Sequence, residues 1–281
     1  MCLPYIFIPV KSNRHFDLVD VSVGAFADSA YEYLLKQWLM TSKSEPKTRD
    51  LYINSARGII QNLLYLSPHR NLLYVTDIQF GNPTRVFEHL SCFLPGLLAL
   101  GAHTLDEFLT AEEKEQHLWA AEGLAYTCYT TYADMESGLG PDEMLMDAWP
   151  AGKDTGRWVD HLASWKESGR EGPPPGLGGV ERKKAGSRDY SFRKTSYLLR
   201  PETVESFYVL WKVTGDIAWR ERGWNVFSAI ERETRTEDGY ASLLYVDTKG
   251  GSKKDEMPRY DHLKFLVTHF ESLAATSWRR R

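Results

Sequence analysis

The sequence predicts an all-α chain built from helix pairs, with short β-hairpins set between them. Three observations carry this reading. Apolar residues recur at helical spacing through six segments. Neighbouring helical segments are separated by short polar, Pro- or Gly-containing turns, as helix pairs require. Only two runs, LLYVTDI and GYASLLYV, have the length and residue types of strands.

Each element follows from its own pattern. In ADSAYEYLLKQWLM, Tyr31, Leu34, Leu35, Trp38 and Leu39 make one apolar stripe, with Asp28 ahead of it as an N-cap. Pro46 and its polar neighbours form the turn to a second helix, whose face is Tyr52, Ala56, Ile59, Ile60 and Leu63. Leu72 to Ile78 reads as a short strand between Pro68 and Gly81. His89 to Leu100 is apolar on most sides and predicts a buried helix, which Pro95 kinks or starts late. A longer helix covers about Glu107 to Tyr132, with acidic residues early, as the macrodipole prefers. Residues 150–193 are rich in Gly, Pro and charge and read as a loop or disordered insertion outside the core. Pro201 opens the next helix, Val204, Phe207, Tyr208 and Trp211 form its stripe, and Gly215 closes it. A last helix spans Ala218 to about Arg235, and GYASLLYV is the second strand.

Composition excludes several classes. The chain has 281 residues, with 34 Lys and Arg against 38 Asp and Glu, a net charge of −4. That is too little positive charge for a nucleic-acid partner, which needs a dense basic surface. The longest apolar stretch, around Cys92–Ala102, is well short of the about 20 residues of a membrane span. MCLPYIFIPVK has no basic segment before its apolar run and makes a poor signal peptide. Three cysteines do not make a disulfide scaffold. There is no glycine-rich nucleotide loop, no H-E-x-x-H, no C-x-x-C and no G-x-S-x-G. Carboxylates are left as the richest source of chemistry. The 9 Trp, 15 Tyr and 12 Phe suit both core faces and sugar-stacking platforms, of which core packing is the commoner use.

Four segments carry a resemblance. They are ADSAYEYLLKQWL (Ala27–Leu39), HLSCFLPGLLALG (His89–Gly101), TCYTTYADMESGLGPDE (Thr127–Glu143) and SYLLRPETVESFYVLWKVTGD (Ser196–Asp216). Their order and approximate spacing resemble the class I α-1,2-mannosidases, glycoside hydrolase family 47, over roughly Val23 to Glu256. The resemblance implies an (α/α)7 toroid of helix hairpins. It implies inverting hydrolysis of terminal α-1,2-linked mannose from high-mannose N-glycans, with Ca2+ bound, in the endoplasmic reticulum or Golgi or as a secreted fungal enzyme. At this length the toroid is expected to be incomplete. Residues 1–22 stand unmatched, 23–257 form a partial catalytic domain, and 258–281 are an unmatched tail.

The same resemblance implies roles. Asp28 matches the catalytic-site Asp, and Glu202 matches the carboxylate proposed as general base. Asp142 falls where the family has a catalytic Glu, with Glu143 following it, so either can serve. His89, Arg200 and Glu205 match residues lining the substrate cleft. Cys92 and Cys128 match the family's paired cysteines. The upstream segment that carries the family's general acid and the closing Asn-Thr-Glu motif, whose Thr binds Ca2+, have no counterpart here. The alternative expectation is therefore a catalytically dead fragment or a glycan-binding quality-control homologue. Taken singly, Asp28 reads as a plain N-cap, Glu202 and Glu205 as helix-start acids, and His89 as a satisfied core histidine. Inverting chemistry needs two carboxyl groups about 6.5–9.5 Å apart, one giving a proton and one activating water. Asp28 and Glu202, both at helix starts, are the expected pair. Arg200 beside Glu202 is expected to keep it ionised.

Overall fold

The computed structural model describes residues 21–24, 27–152, 154–177, 188–237, 239–248 and 254–258. Most of the segment 1–22 and of the tail 258–281 lies outside the described residues. The architecture is α-rich, with seven helices and short antiparallel strands among the described residues.

Helix α1 (Asp28–Met40) buries Tyr31, Leu35 and Trp38 along its predicted stripe. Ala27 is its cap residue and makes no side-chain cap bond, so Asp28 is the first helical residue and not the N-cap. Helix α2 (Pro46–Asn62) starts on Pro46 itself, which the turn reading had placed before the helix. Proline fits there because the first helical N–H has no intrahelical partner to lose. Tyr52, Ala56, Ile59, Ile60 and Leu63 are all buried, as the periodicity requires.

The single strand expected at Leu72–Ile78 is divided. β1 (Leu64–Leu66) pairs antiparallel with β2 (Leu73–Val75), and β3 (Ile78–Gln79) pairs with β4 (Asn82–Pro83). β5 (Val86–Glu88) then leads into a 3-10 turn, His89–Phe93, and α3 (Leu94–Thr104) starts beyond it with Pro95 in its first turn. Helix α4 (Ala111–Ala133) begins later than Glu107 because Thr110 and Glu113 form a reciprocal capping box.

β6 (Glu143–Met146) follows, then α5 (Trp158–Glu167) and β7 (Tyr190–Lys194). The insertion reading of 150–193 is thereby corrected in part. Trp158 and Leu162 of α5 are fully buried in the core, and β7 belongs to a sheet. The residues 178–187 of the Gly/Pro/charged run lie outside the described set. α6 (Glu202–Thr214) ends on Gly215 in the left-handed conformation (φ 75°), where a side chain would be strained. α7 (Ile217–Thr234) is capped by Asp216, and β8 (Ala241–Leu243) pairs with β9 (Lys254–Pro258).

Packing joins the helices in sequence pairs: α1 with α2, α3 with α4, and α6 with α7, while α3 also packs on α6. The α3–α6 contact is close. A Cβ on Gly96 would come within 3.0 Å of the Ser206 backbone, and the Gly96 N–H donates to Ser206 Oγ at 2.9 Å. Cys92 and Cys128 form a disulfide that ties the 3-10 turn to α4.

Candidate active site

One three-stranded sheet, in the order β5–β6–β7, positions the polar residues that matter. Its ladder pairs Glu88 with Glu143 and Glu143 with Lys194. Hydrogen bonding continues one or two residues past the strands. The His89 N–H donates to the Asp142 carbonyl and the Asp142 N–H donates to the Ser196 carbonyl, each at 2.9 Å. Residues 88–89, 142–143 and 194–196, remote in sequence, therefore meet at one sheet end. Arg200 and Glu202 follow within a few residues, where the chain turns into α6.

Asp142 is buried at 5% exposure and accepts from Arg200 Nε at 2.7 Å. Glu143 is partly buried and pairs instead with Lys194, whose own side chain is exposed. The two acids left open by sequence thus have different partners, and Asp142 is the one on the Arg200 side. Burial works against the charge on Arg200, but the Asp142 hydrogen bond and charge, with Glu202 and Glu88 behind them, hold its pKa above the usual value. Arg200 is the cation shared by three carboxylates. Glu202 is the first residue of α6, where the helix N-terminus stabilises a carboxylate.

His89 is only 2% exposed. Its Nε2 meets the Tyr132 hydroxyl in a short hydrogen bond, and Thr203 Oγ1 stands 3.5 Å away. The His89 and Tyr132 rings each make an edge contact with Tyr197 at 6.1 Å between centroids. Burial, then the positive charge of Arg200, push the His89 pKa down to about 3 against the opposing pull of Asp142. Burial raises the Tyr132 and Tyr197 pKa values. All three rings are neutral at working pH. His89 is accordingly held in the interior among Tyr132, Tyr197 and Thr203, next to Arg200 and Asp142. Gly140 is required here: a Cβ would sit 2.8 Å from Tyr132 Cε2 and 3.4 Å from His89 Cδ2.

Glu205, one turn along α6, lies elsewhere. Burial raises its pKa, and the charges it feels are Lys36 and Glu32 of α1. Only the backbone of Asp28 is described, as the start of α1. The approach to that start does come close to the sheet end. An added Cβ on Gly24 would fall 2.5 Å from Glu88 Oε2, and the Ala27 N–H donates to the Gly24 carbonyl.

Sequence reasoning missed Glu88, Tyr132, Tyr197 and Thr203. Glu88 adjoins His89, and Thr203 adjoins Glu202, so adjacency was the available signal. Tyr132 and Tyr197 gave none, since a helical Tyr and a loop Tyr resemble the other 13 in the chain. Among the described residues no three His, Cys, Asp or Glu side chains gather so as to hold a metal ion.

Comparison with known proteins gives this arrangement a context. The profile of glycosyl hydrolase family 47 matches residues 5–266, wider at both ends than the span read from motifs. The human endoplasmic reticulum mannosyl-oligosaccharide 1,2-alpha-mannosidase is 33% identical over 270 residues, covering 94% of this chain and 33% of that protein. Human mannosyl-oligosaccharide 1,2-alpha-mannosidase IC is 32% identical, covering 98% of this chain and 38% of that protein. The chain spans about a third of the length of these curated relatives. The solved α-1,2-mannosidase from Trichoderma reesei superposes with a TM-score of 0.66 at 25% identity, covering 86% of this chain and 44% of that one. The family-profile match spans all four segments that supply the sheet end, the disulfide and the starts of α1 and α6. The chain belongs to glycosyl hydrolase family 47.

Proposed function

We propose that this chain contributes to a mannosyl-oligosaccharide α-1,2-mannosidase, which removes terminal α-1,2-linked mannose from high-mannose N-glycans with inversion. The observation that carries the reading is the Arg200–Asp142 pair held beside Glu202 at the start of α6. Family membership and relatives named as mannosyl-oligosaccharide mannosidases support it.

In this reading Glu202 is the general base. It takes a proton from a water that attacks the anomeric carbon from the face opposite the leaving oxygen. A second carboxyl group protonates that oxygen, and Asp28 at the start of α1 is the partner proposed for it. Arg200 stays charged and orders the carboxylates around it, with Asp142 as its hydrogen-bonded anchor. His89, Tyr132 and Tyr197 keep water from the back of this cluster and fix the sheet end. Glu205 lies toward α1 and is proposed to contact the sugar from that side. For the Ca2+ implied by the family, no group of three or more His, Cys, Asp or Glu side chains is gathered among the described residues. We assign the architecture to part of an (α/α)7 toroid and the workplace to the secretory pathway. Among the described residues no helix is long and apolar enough to cross a membrane.

The test is incubation of the purified chain with a high-mannose oligosaccharide and Ca2+, following released mannose and its anomer by proton NMR. The β-anomer is expected first, and Glu202→Gln should lower release at least a hundredfold. Absence of release from the unaltered chain, or release of the α-anomer first, refutes the reading.

A further inference from the structure

A second concave site lies apart from the Arg200–Asp142 cluster, in a cavity of about 500 Å3 between α4 and α7. Its wall on α4 carries Tyr126 and Tyr129, three residues apart and so on one helix face. Both rings are half-buried, and the Arg222 guanidinium sits 5.5 Å from each ring centroid, tying them into one unit. The floor is Asp134, buried and ion-paired with Arg70 at 2.6 Å. The opposite wall on α7 gives Asn225 and Arg232, both exposed.

The charges decide the class of ligand. Arg70 is committed to Asp134, whose carboxylate also accepts from the Tyr190 hydroxyl at 3.0 Å. Arg232 donates to Glu233 at 2.8 Å and to the Ser137 carbonyl at 2.6 Å. Each cation lining the cavity is thus matched by an acid, and Glu136 adds a further carboxylate to the lining, so an anionic ligand would find no surplus positive charge there. What is offered is a pair of aromatic rings with planar polar groups around them. Asn225 is exposed and donates to the Tyr129 hydroxyl at 3.3 Å. Tyrosine rings cover the C–H face of a pyranose, and planar amide and guanidinium groups bridge adjacent hydroxyls.

We infer that this cavity is an accessory carbohydrate site that binds a neutral hexopyranose, separate from the proposed catalytic cluster. Its effect is to hold one arm of a branched glycan, or a free sugar, in the cleft between α4 and α7.

The test is an NMR titration of the full chain with methyl α-D-mannopyranoside, run beside inorganic phosphate. Saturable binding in the millimolar range is expected, with shifts at Tyr126 and Tyr129 and none with phosphate. Asn225→Ala should weaken binding at least fivefold, and Ala133→Phe, which fills the cavity wall, should abolish it, with thermal melts within a degree or two of the parent. Glu202→Gln should leave this binding unchanged, so failure here and failure of the mannosidase reading are told apart. A branched oligomannose that binds more tightly than the monosaccharide, and loses that advantage in Ala133→Phe, identifies a glycan arm as the source. Equal affinities identify a free sugar. Binding insensitive to both cavity variants, binding lost in Glu202→Gln, or phosphate shifting the same tyrosines would overturn the inference.

Discussion

Removing Arg200 should cost more stability than removing its partner Asp142, and the asymmetry can be worked from burial. The Asp142 side chain is 5% exposed and the Arg200 side chain 29% exposed. Arg200→Met leaves the buried Asp142 carboxylate without its hydrogen-bonded cation, although the Lys194 charge still reaches Asp142 and Glu88. Breaking a buried pair in this way costs about 3–5 kcal/mol, and the partial exposure of Arg200 sets the expectation at about 3. Asp142→Asn keeps an oxygen that accepts from Arg200, which still has Glu202 and Glu88 and can reach water. Its cost is about 1 kcal/mol. The measurement is urea unfolding followed by tryptophan fluorescence, comparing midpoints at equal slope. A gap of about 2 kcal/mol is expected, with Arg200→Met the less stable. Equal losses, or a larger loss for Asp142→Asn, would show that Arg200 is not the shared cation of three acids.

Three further outcomes are expected. His117 of α4 is 1% exposed, both its ring nitrogens lack a hydrogen bond, and burial pushes its pKa down to about 4 against the pull of Glu113. The unfolded histidine titrates near 6.5, so the unfolded state holds the extra proton between these values. Stability should fall as pH drops from about 6.5 to 4, with His117 contributing on the order of 3 kcal/mol and His89 adding a loss in the same direction, and His117→Leu should reduce the slope in urea melts while leaving the His89 part. Reduction of Cys92–Cys128, which closes a 36-residue separation, should cost about 4 kcal/mol, read as a lowered melting temperature in dithiothreitol. An unchanged melt would contradict this. Gly140→Ala should cost about 1–3 kcal/mol through the Tyr132 ring, and it should abolish mannose release if His89 and Tyr132 brace the site.

What could be read from sequence was local. Tyr52, Ala56, Ile59, Ile60 and Leu63 were legible because one helical face buries them, and periodicity encodes a face directly. Gly215 was legible because a left-handed helix end selects glycine. α5 was not, since only Trp158 and Leu162 are buried in it and the Gly, Pro and charge around it swamp two residues of signal. Nor was the β5–β6–β7 sheet. Its strands are three to five residues long and lie tens of residues apart, so their pairing leaves no periodic trace. For the same reason, adjacency pointed from Arg200 to Glu202, whereas the sheet end supplies Asp142.

That sheet end also explains how neighbouring acids acquire different duties. Successive strand residues point to opposite faces, so a one-residue slip exchanges Asp142 for Glu143 at the Arg200 side. The β6–β7 ladder contains such a slip. Met144 pairs with Phe192, and regular pairing would set Glu143 opposite Arg193, but Glu143 pairs with Lys194. Arg193 is the extra residue, a bulge that takes one position out of the ladder before the strands end. The shift brings Lys194 onto Glu143 and aligns the Ser196 carbonyl with the Asp142 N–H. Lysine neutralises one acid at the surface while arginine meets the other in the interior. The bulge at Arg193 thus sets Lys194, not Arg193, opposite Glu143, and backbone register gives that acid its partner.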